Sequence, residues 1–210
     1  MIEAGAGIIL RTLPLTETSL IVHWIGPTFG RIATVAKGAR RPKSPFSGKL
    51  DLFYEADISF SRSRTSDLHT LREASLRHAH APLRKDLDRL RQAADAALFI
   101  VRATEPETPL PNIHDLFKRF LESLSAETPS PLLAPAFKIR MLAELGLEPD
   151  WKHAKLQPGT AKIAVAMLQR DFESIRGLRP TEKQRAELDR FLRDFIIFHL
   201  DAGVIATRNS

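Results

Sequence analysis

The chain has 210 residues, 43% of them hydrophobic, and a formal net charge of +6. That hydrophobic content excludes a wholly disordered chain, and the absence of cysteine excludes disulfides, thiolate zinc sites and cysteine nucleophiles. A basic chain favours a polyanionic partner, either nucleic acid or an acidic membrane surface. Residues 1–5 do not resemble a signal peptide, and no apolar run approaches the roughly 18 residues of a membrane span. We therefore expect a cytoplasmic protein with no membrane partner.

Residues 1–80 have the pattern of β structure. Short runs rich in β-branched and aromatic residues predict strands near residues 7–12, 20–25 and 31–36, and strict alternation predicts another over residues 50–61. A fifth strand is expected at residues 68–74. Five short strands in about 75 residues predict a small closed barrel, because an open sheet would leave unprotected edges.

The basic loop, residues 37–49, lies between the third and fourth predicted strands. It holds five basic residues and no acidic one, and its two glycines and two prolines predict irregular structure. Such a loop on a β scaffold can contact phosphates, and it equally fits a solvated loop that happens to be basic. Residues 1–80 contain 11 Lys or Arg against 7 Asp or Glu, whereas the rest contains 20 against 18, so the charge excess is concentrated near this loop.

From about residue 81 the pattern becomes helical, which predicts an α+β protein of two domains, residues 1–80 and 81–210. Apolar spacing and capping residues predict helices near residues 83–104, 112–125, 131–145, 159–175 and 181–202. The most regular is the second, in which residues 113–124 keep an unbroken helical spacing. Thr181 and Gln184 form a capping box at the start of the last helix.

Motifs of catalysis are missing. The sequence around Gly48-Lys49 fails the phosphate-binding loop pattern at two positions, and the Gly-x-Ser-x-Gly and His-Glu-x-x-His motifs are absent. His78 and His80 could share a metal if both lie on a strand, but with no third ligand nearby a solvated histidine pair is the simpler interpretation. A hydrolase would need a convergent acid and base that the sequence does not supply. We therefore predict a protein that is not an enzyme and holds no metal or cofactor.

Aromatic residues bear on single-strand binding, because bases stack on exposed rings. Phe46, inside the basic loop, is the best stacking candidate. Phe53 lies on the polar face of its predicted strand, so it either packs beneath the loop or is exposed for binding. Few aromatic residues among many basic ones favour contacts to the nucleic-acid backbone with little base readout.

Several stretches of the N-terminal part form a recognisable set of motifs. They are Gly7-Ile8-Ile9-Leu10-Arg11-Thr12, Glu17-Thr18-Ser19-Leu20, Phe29-Gly30-Arg31, Val35-Ala36-Lys37-Gly38-Ala39-Arg40 and Gly48-Lys49-Leu50, with a weaker match at His69-Thr70-Leu71-Arg72-Glu73-Ala74. Together these stretches resemble the RecO family of bacterial recombination mediators. The resemblance is specific over about the first 75 residues and looser in the helices, where it depends on residues 137–146.

This resemblance implies an N-terminal OB-fold barrel and a helical C-terminal domain. It implies binding of single- and double-stranded DNA, annealing of complementary strands in the bacterial nucleoid, and partnership with RecR and the C-terminal tail of single-stranded DNA-binding protein (SSB) to load the RecA recombinase. Many members carry a four-cysteine zinc module after the helix that ends here near Gly146. Residues 148–153 contain no cysteine, so zinc binding cannot be carried over.

The charge pattern and the resemblance together predict a DNA contact at the basic loop, and we expect secondary contacts from neighbouring cations. The SSB tail is acidic and ends in an apolar residue, so its receptor needs an apolar pocket bordered by cations; the candidate is on the third helix, where ordinary surface charge is the alternative. The predicted main contacts are Lys37, Arg40, Arg41, Lys43 and Lys49; the secondary ones are Arg11, Arg31, Arg62, Arg64 and the ring of Phe46; the predicted partner site is Phe137, Lys138, Arg140 and Met141. The competing hypothesis is an interaction adaptor whose basic loop binds an acidic partner protein.

Overall fold

The computed structural model describes the backbone of residues 1–208 and the side chains of residues 1–200. The chain forms two compact units, Met1–Leu121 and Glu122–Ser210. A barrel of five strands is followed by five α-helices, so the predicted α+β architecture is confirmed. The chain changes from strands to helices near residue 80, as expected, whereas the first compact unit extends further and includes the first helix and most of the second.

The strands of the first unit close into a barrel in the order β1-β2-β3-β5-β4. All neighbours are antiparallel except β3 and β5, which is the arrangement of an OB-fold. Strand β1 is long enough to pair with β4 through its first half and with β2 through its second. The strands are β1 (Ile2–Pro14), β2 (Leu20–Gly26), β3 (Gly30–Ala36), β4 (Glu55–Ser61) and β5 (Leu68–His78).

Strand β4 begins at Glu55, so the prediction of a strand from residue 50 was wrong in its first five residues. Residues 51–54 instead turn, because Phe53 adopts a positive φ of 63° and its N–H donates to the Ile9 carbonyl at 2.9 Å. The Phe53 side chain is buried and packs edge-to-face on Phe117, with ring centroids 6.3 Å apart. Of the two alternatives for Phe53, burial is therefore the correct one.

Helices α1 (Leu87–Ala103) and α2 (Pro111–Leu124) follow a short 3-10 helix at Ala81–Lys85. The Asp86 side chain caps α1 by accepting the N–H groups of Asp88 and Arg89 at 2.9 and 3.2 Å. The segment between the two helices docks on the start of β3. There the Glu107 N–H donates to the Arg31 carbonyl at 2.9 Å, and the backbone of Thr108 lies against Gly30 so closely that a Cβ on that glycine would be 1.9 Å from the Thr108 carbonyl oxygen.

The second unit contains α3 (Leu133–Glu144), α4 (Pro158–Gln169), a 3-10 helix at Ser174–Gly177, and α5 (Glu182–Arg208). Helix α4 ends at Gln169, six residues before the predicted end, because Arg140 donates to the carbonyl groups of Met167, at 3.1 Å, and of Arg170. The capping box is confirmed, since Thr181 and Gln184 exchange two hydrogen bonds of 2.8 and 3.3 Å. No described helix is both long and apolar enough to cross a membrane.

Residues 145–157, which connect α3 to α4, pack on α5 through Trp151. This side chain is buried, its ring centroid lies 6.0 Å from that of Phe191, and its indole N–H donates to Glu148 at 3.1 Å. Among the residues that the structure describes, no group of three or more His, Cys, Asp or Glu side chains could hold a metal ion. Burial of a tryptophan therefore supplies the packing between this connection and α5.

Candidate nucleic-acid interface

The basic loop is a series of tight turns. The N–H groups of Arg41, Ser44, Ser47 and Lys49 each donate to the carbonyl three residues earlier, at 3.0 to 3.1 Å. Gly38 has a φ of +70°, which L-residues with a side chain rarely adopt. The loop is therefore irregular in secondary structure, as predicted, but it is internally hydrogen-bonded.

The first part of the loop is bonded to the β1–β2 turn, residues 15–19. Arg40 donates from its backbone N–H to the Thr18 carbonyl and from its guanidinium to the Thr16 carbonyl, both at 3.0 Å. The Gly38 N–H donates to the Ser19 hydroxyl at 3.4 Å. Turns of this kind take part in ligand binding in OB-folds. Its contact with the loop escaped the sequence analysis, because nothing in the local sequence indicates which distant backbone Arg40 will meet.

The middle of the loop is anchored by Phe46. Its side chain is only 6% exposed and belongs to the hydrophobic core of the barrel, with Ala36, Ala56 and Phe60. The prediction that Phe46 stacks on a base is corrected: a ring that completes the core is not available to a nucleotide. Its hydrophobic burial instead fixes the position of the neighbouring basic residues.

The residues that follow the loop are held by Arg84. Its guanidinium donates to the Asp51 carboxylate at 3.0 Å and to the Leu52 and Ala79 carbonyls at 2.8 Å, and it lies over the Tyr54 ring at 4.4 Å. Because these contacts use one face and the donors along the edge of the guanidinium, Arg84 stabilises the turn into β4. The basic loop thus has an anchor before, within and after it, and its cations are displayed by a defined backbone.

The cations of the basic loop are exposed and are not neutralised by carboxylates. Lys37, Arg40, Arg41 and Lys43 are exposed and Lys49 is partly exposed. Among the described side chains, none of these five forms an ion pair, whereas Arg62, Arg77 and Arg84 of the same unit all do. The loop therefore presents positive charge that no carboxylate among the described side chains neutralises, which is the property that a phosphate-binding surface needs.

Arg31 and Arg62, which were predicted as secondary DNA contacts, instead bond to other groups of the protein. Arg62 pairs with Glu3 at 2.6 Å and also with Glu107, and the hydrogen bond with Glu3 is the main cause that raises the pKa of Arg62. Arg31 donates to the Thr104 hydroxyl at 2.7 Å and to the Thr104 carbonyl, and burial lowers the pKa of its guanidinium. We correct both predictions, because these guanidinium groups hold the docked segment on the barrel.

The other two secondary candidates, Arg11 and Arg64, are exposed and form no ion pair among the described side chains. Arg11 lies on β1 opposite His23 of β2. Burial is the main cause that lowers the pKa of His23, and the positive charges of Arg11 and Arg31 lower it further, so this imidazole is neutral near pH 7. Arg64 lies in the β4–β5 turn. Both residues remain candidates for DNA contact.

The predicted partner site on α3 does not form a surface pocket. Phe137 and Met141 are 1% and 0% exposed, and Arg140 donates to the end of α4 while lying 4.0 Å from the centre of the Phe172 ring. Lys138 and Arg140 keep partial exposure, but the Arg140 guanidinium is bonded to the end of α4. An apolar face of α3 is core here, and the helical spacing alone could not separate a core face from a binding face.

A groove along α5 has the properties that were sought on α3. Its volume is about 940 Å³, and rings of phenylalanine share its lining with the cations Lys155, Lys183 and Arg190. Phe198 is 70% exposed beside it. The carboxylates of Glu187 and Asp194 also line it, and Glu187 accepts hydrogen bonds from the Thr160 hydroxyl and the Gln157 N–H, which lower its pKa. Phe191, Phe195 and Phe198 recur at helical spacing in the sequence, but this spacing alone does not separate a core face from a binding face.

The prediction that His78 and His80 form a solvated pair is wrong for His80, whose side chain is buried. Their rings are 4.2 Å apart between centroids, and among the described residues no third ligand joins them. His80 is buried, which together with the charge of His78 lowers its pKa to about 4. Nearby, Lys118 of α2 pairs with the buried carboxylate of Glu55 at 2.8 Å. This polar cluster packs α2 on the barrel.

Comparisons with known proteins agree with this architecture. The family profile described as "Recombination protein O N terminal" matches residues 1–80, and "Recombination protein O C terminal" matches residues 84–155. The protein called DNA repair protein RecO from Bacillus subtilis is 30% identical over 207 residues, which cover 95% of this chain and 79% of the relative. Its namesake from Bacillus velezensis is 29% identical over 210 residues, with 97% and 80% covered. The protein of that name from Rhodopirellula baltica is 32% identical over 142 residues, with 68% and 53% covered.

Proposed function

Because the chain belongs to the RecO family of DNA repair proteins, we propose that it acts in repair as a non-enzymatic recombination mediator. In this role it binds single- and double-stranded DNA through phosphate contacts and anneals complementary strands. With RecR, it helps to load RecA onto single-stranded DNA that is coated with SSB. We assign the DNA contact to the basic loop, with Arg11 and Arg64 as additional contacts.

The observation that carries the DNA-binding proposal is the group of unneutralised cations on an anchored loop. Lys37, Arg41 and Lys43 are exposed, and none of them forms an ion pair among the described side chains. A loop whose backbone is already ordered loses little conformational entropy when it binds, so more of the attraction to phosphate appears as affinity. The contact is expected to weaken linearly in log affinity with log salt, because each neutralised phosphate releases counterions.

Burial of Phe46 supports annealing in particular. With this ring in the barrel core, the basic loop offers phosphates a cationic surface and offers bases no aromatic platform. A strand held only by its backbone keeps its base edges free to find a complement. Charge on the protein also reduces the repulsion between two backbones that approach each other.

The α5 groove is our candidate for the SSB tail, in place of the predicted site on α3. A tail that is acidic and ends in an apolar residue fits a groove that combines phenylalanine rings with Lys155, Lys183 and Arg190. The apolar end would be buried against the rings, and the tail carboxylates would face the cations. Binding of this tail would bring the basic loop to the DNA from which SSB must be displaced.

Annealing of two complementary oligonucleotides, each coated with SSB, tests the function. We expect the protein to accelerate duplex formation, and the variant with Lys37, Arg41 and Lys43 all changed to Ala to lose most of this acceleration. A matched control changes Lys85 and Arg102 to Ala, since these residues are also exposed and basic but lie outside the loop. No acceleration by the wild-type protein, together with tight binding of an acidic peptide to the basic loop, would favour the adaptor hypothesis.

Binding of a synthetic acidic peptide ending in phenylalanine, measured by fluorescence anisotropy, tests the groove. Reversing charge with Lys183→Glu and Arg190→Glu should weaken this binding at least about tenfold, because two attractive contacts become repulsive. The control Lys138→Glu reverses the charge of a partly exposed lysine in the predicted α3 site. If Lys138→Glu weakens binding and the α5 variants do not, the tail binds at α3.

A further inference from the structure

We infer that Arg40 is a positioning residue of the DNA site, not one of its phosphate contacts. Its hydrogen bonds hold the basic loop against the β1–β2 turn, whereas the side chains that contact phosphate are those of Lys37, Arg41 and Lys43. This inference rests on the proposed function and divides the basic residues of the loop into two roles. The division is not visible in the sequence, where Arg40 and Arg41 are adjacent and chemically identical.

The contacts of Arg40 are directed at the protein. Its backbone N–H and its guanidinium donate to two carbonyl oxygens of the same turn, those of Thr18 and Thr16, each at 3.0 Å. A carbonyl is a neutral acceptor, so the bond orients the guanidinium without neutralising it. Arg41 differs: its backbone N–H donates to Gly38 within the loop at 3.1 Å, and its exposed side chain has no hydrogen-bond or ion-pair partner among the described residues.

The turn that receives Arg40 is itself rigidly organised. The Thr16 hydroxyl accepts the N–H groups of Thr18 and Ser19 at 3.3 and 3.0 Å, and the Leu15 N–H donates to the Ser19 carbonyl at 3.0 Å. These bonds point the carbonyl groups of Thr16 and Thr18 outward, toward the basic loop. A turn that organises its own acceptors in this way is suited to hold a guanidinium in one direction.

A second hydrogen bond joins the basic loop to the same turn. The Gly38 N–H donates to the Ser19 hydroxyl at 3.4 Å, two residues before Arg40 bonds to the same turn. Lys37 precedes this tie and Arg41 follows the Arg40 contacts, so both cations project from backbone that the turn has fixed. Loss of the tie should therefore lower DNA affinity by loosening the loop, without removing a phosphate contact.

Affinity and its salt dependence separate the two roles. The slope of log affinity against log salt on single-stranded DNA counts phosphates that the protein neutralises, at roughly 0.7 for each. We expect Arg41→Ala and Lys43→Ala each to lower the slope by about that amount. Arg40→Ala should weaken binding roughly threefold to tenfold, the usual worth of a lost hydrogen bond, and leave the slope unchanged within about 0.2.

A neutral variant of the turn provides the decisive control. Thr16→Ala removes no charge, yet it frees the turn that holds Arg40, so it should weaken DNA binding with an unchanged slope. In a double-mutant cycle, Thr16→Ala and Arg40→Ala should be clearly less than additive, because they break the same connection, whereas Thr16→Ala and Arg41→Ala should be additive. Amide hydrogen exchange in residues 15–19 and 37–41 should accelerate in Thr16→Ala and Arg40→Ala and stay unchanged in Arg41→Ala.

The outcomes distinguish failure of the inference from failure of the proposed function. If Arg40→Ala lowers the slope as much as Arg41→Ala and leaves amide exchange unchanged, Arg40 is a phosphate contact and the inference is wrong. If Thr16→Ala has no effect on DNA binding, the turn does not position the loop. If the wild-type protein does not bind DNA at all, the proposed function itself fails, whatever the variants show.

Discussion

The basic loop and the side of the barrel that carries Arg31 and Arg62 hold the same kind of charge in opposite surroundings. At the start of β1, Glu3 and the docked Glu107 neutralise Arg62, and on β3 the partly buried Arg31 donates to the Thr104 carbonyl. At the end of β1, the β1–β2 turn presents neutral carbonyls to Arg40, and the cations beside it form no ion pair among the described side chains. A basic residue therefore indicates a polyanion-binding site only when no neighbouring protein group neutralises its charge in the folded chain.

The docked segment and the basic loop also differ in what their anchored backbones do. The docked segment, residues 104–108, closes one part of the barrel surface with a main-chain hydrogen bond to β3. The basic loop is equally well anchored, through Phe46 and the β1–β2 turn, but its anchors lie below it and its charged side chains point to solvent. The docked segment therefore stabilises the first unit, whereas the basic loop is held by that unit and exposes its charged side chains to solvent.

The largest expected effect is that of Phe46→Ala. Removing a buried phenylalanine from the barrel core should lower the free energy of unfolding of the first unit by about 3–5 kcal/mol, measured by urea titration. Loss of the anchor should also weaken DNA binding with all loop cations still present. Phe46→Leu, which keeps most of the buried volume, should retain both properties. Unchanged stability in Phe46→Ala would show that the loop is not anchored in the core.

Acid should destabilise the barrel without altering the charge of the basic loop, which contains no histidine or carboxylate. His80 has a pKa of about 4 in the fold, below the 6.5 of an unfolded histidine. As pH falls below about 6.5 the unfolded state takes up the proton first, so stability is highest above that pH and declines toward pH 4 by up to about 3 kcal/mol.

Burial, which also lowers the pKa of His114, gives a contribution of the same sign. Urea titrations between pH 7 and pH 4 measure the decline, and His80→Asn should flatten it. A decline that is just as steep in His80→Asn would assign the effect to other groups. DNA binding that weakens across the same range while the protein stays folded would mean that a group outside the loop controls the contact.

Substituting alanine for two glycines with nearly equal φ values, one in each region, compares the two regions directly. Gly30 and Gly48 have φ values of +68° and +71°, so both substitutions strain the backbone by about 1–2 kcal/mol. At Gly30 the new Cβ would also overlap the Thr108 carbonyl, whereas at Gly48 nothing lies within 4 Å. Thermal unfolding should show Gly30→Ala to be less stable than Gly48→Ala by at least about 1 kcal/mol. Equal losses would mean that the docked segment is not held against β3.

The smallest expected effect is that of Arg62→Ala. Its ion pairs are partly exposed, so their loss should lower the free energy of unfolding by only about 1 kcal/mol. DNA affinity should not change, because this guanidinium serves the docked segment. Glu107→Gln is a matched variant that breaks the same pair from the other side. A marked fall in DNA affinity in Arg62→Ala alone would return Arg62 to the DNA site.

Local patterns predicted most of the fold. The strands near β2 and β3, the helical spacing of α2 and the capping box at Thr181 follow from periods of two and 3.6 residues and from cap chemistry. The sequence did not predict that Phe53 turns with a positive φ, because the contact that fixes it is with Phe117, 64 residues away. The start of β4 was misplaced for the same reason.

The sequence identified the basic loop as the candidate site, but it did not identify the different roles of the residues in that loop. Composition identified the five cations, and only the fold decides that Arg40 meets the β1–β2 turn and that Arg62 meets Glu107. Phe46 and the apolar residues of α3 looked like binding residues because hydrophobicity is the same signal for a core and for a contact surface. A local sequence pattern does not show which residues far apart in the chain will contact each other.

The most direct test of the central claim is the salt dependence of binding to a single-stranded oligonucleotide. The variant Lys37→Ala, Arg41→Ala, Lys43→Ala should lower the slope of log affinity against log salt by about 2, at roughly 0.7 for each lost phosphate contact. A variant that combines Arg31→Gln with Arg62→Gln, confirmed as folded by circular dichroism, should keep the wild-type slope. Equal slopes in the loop variant and the wild-type protein, or an equal fall in both variants, would contradict the account.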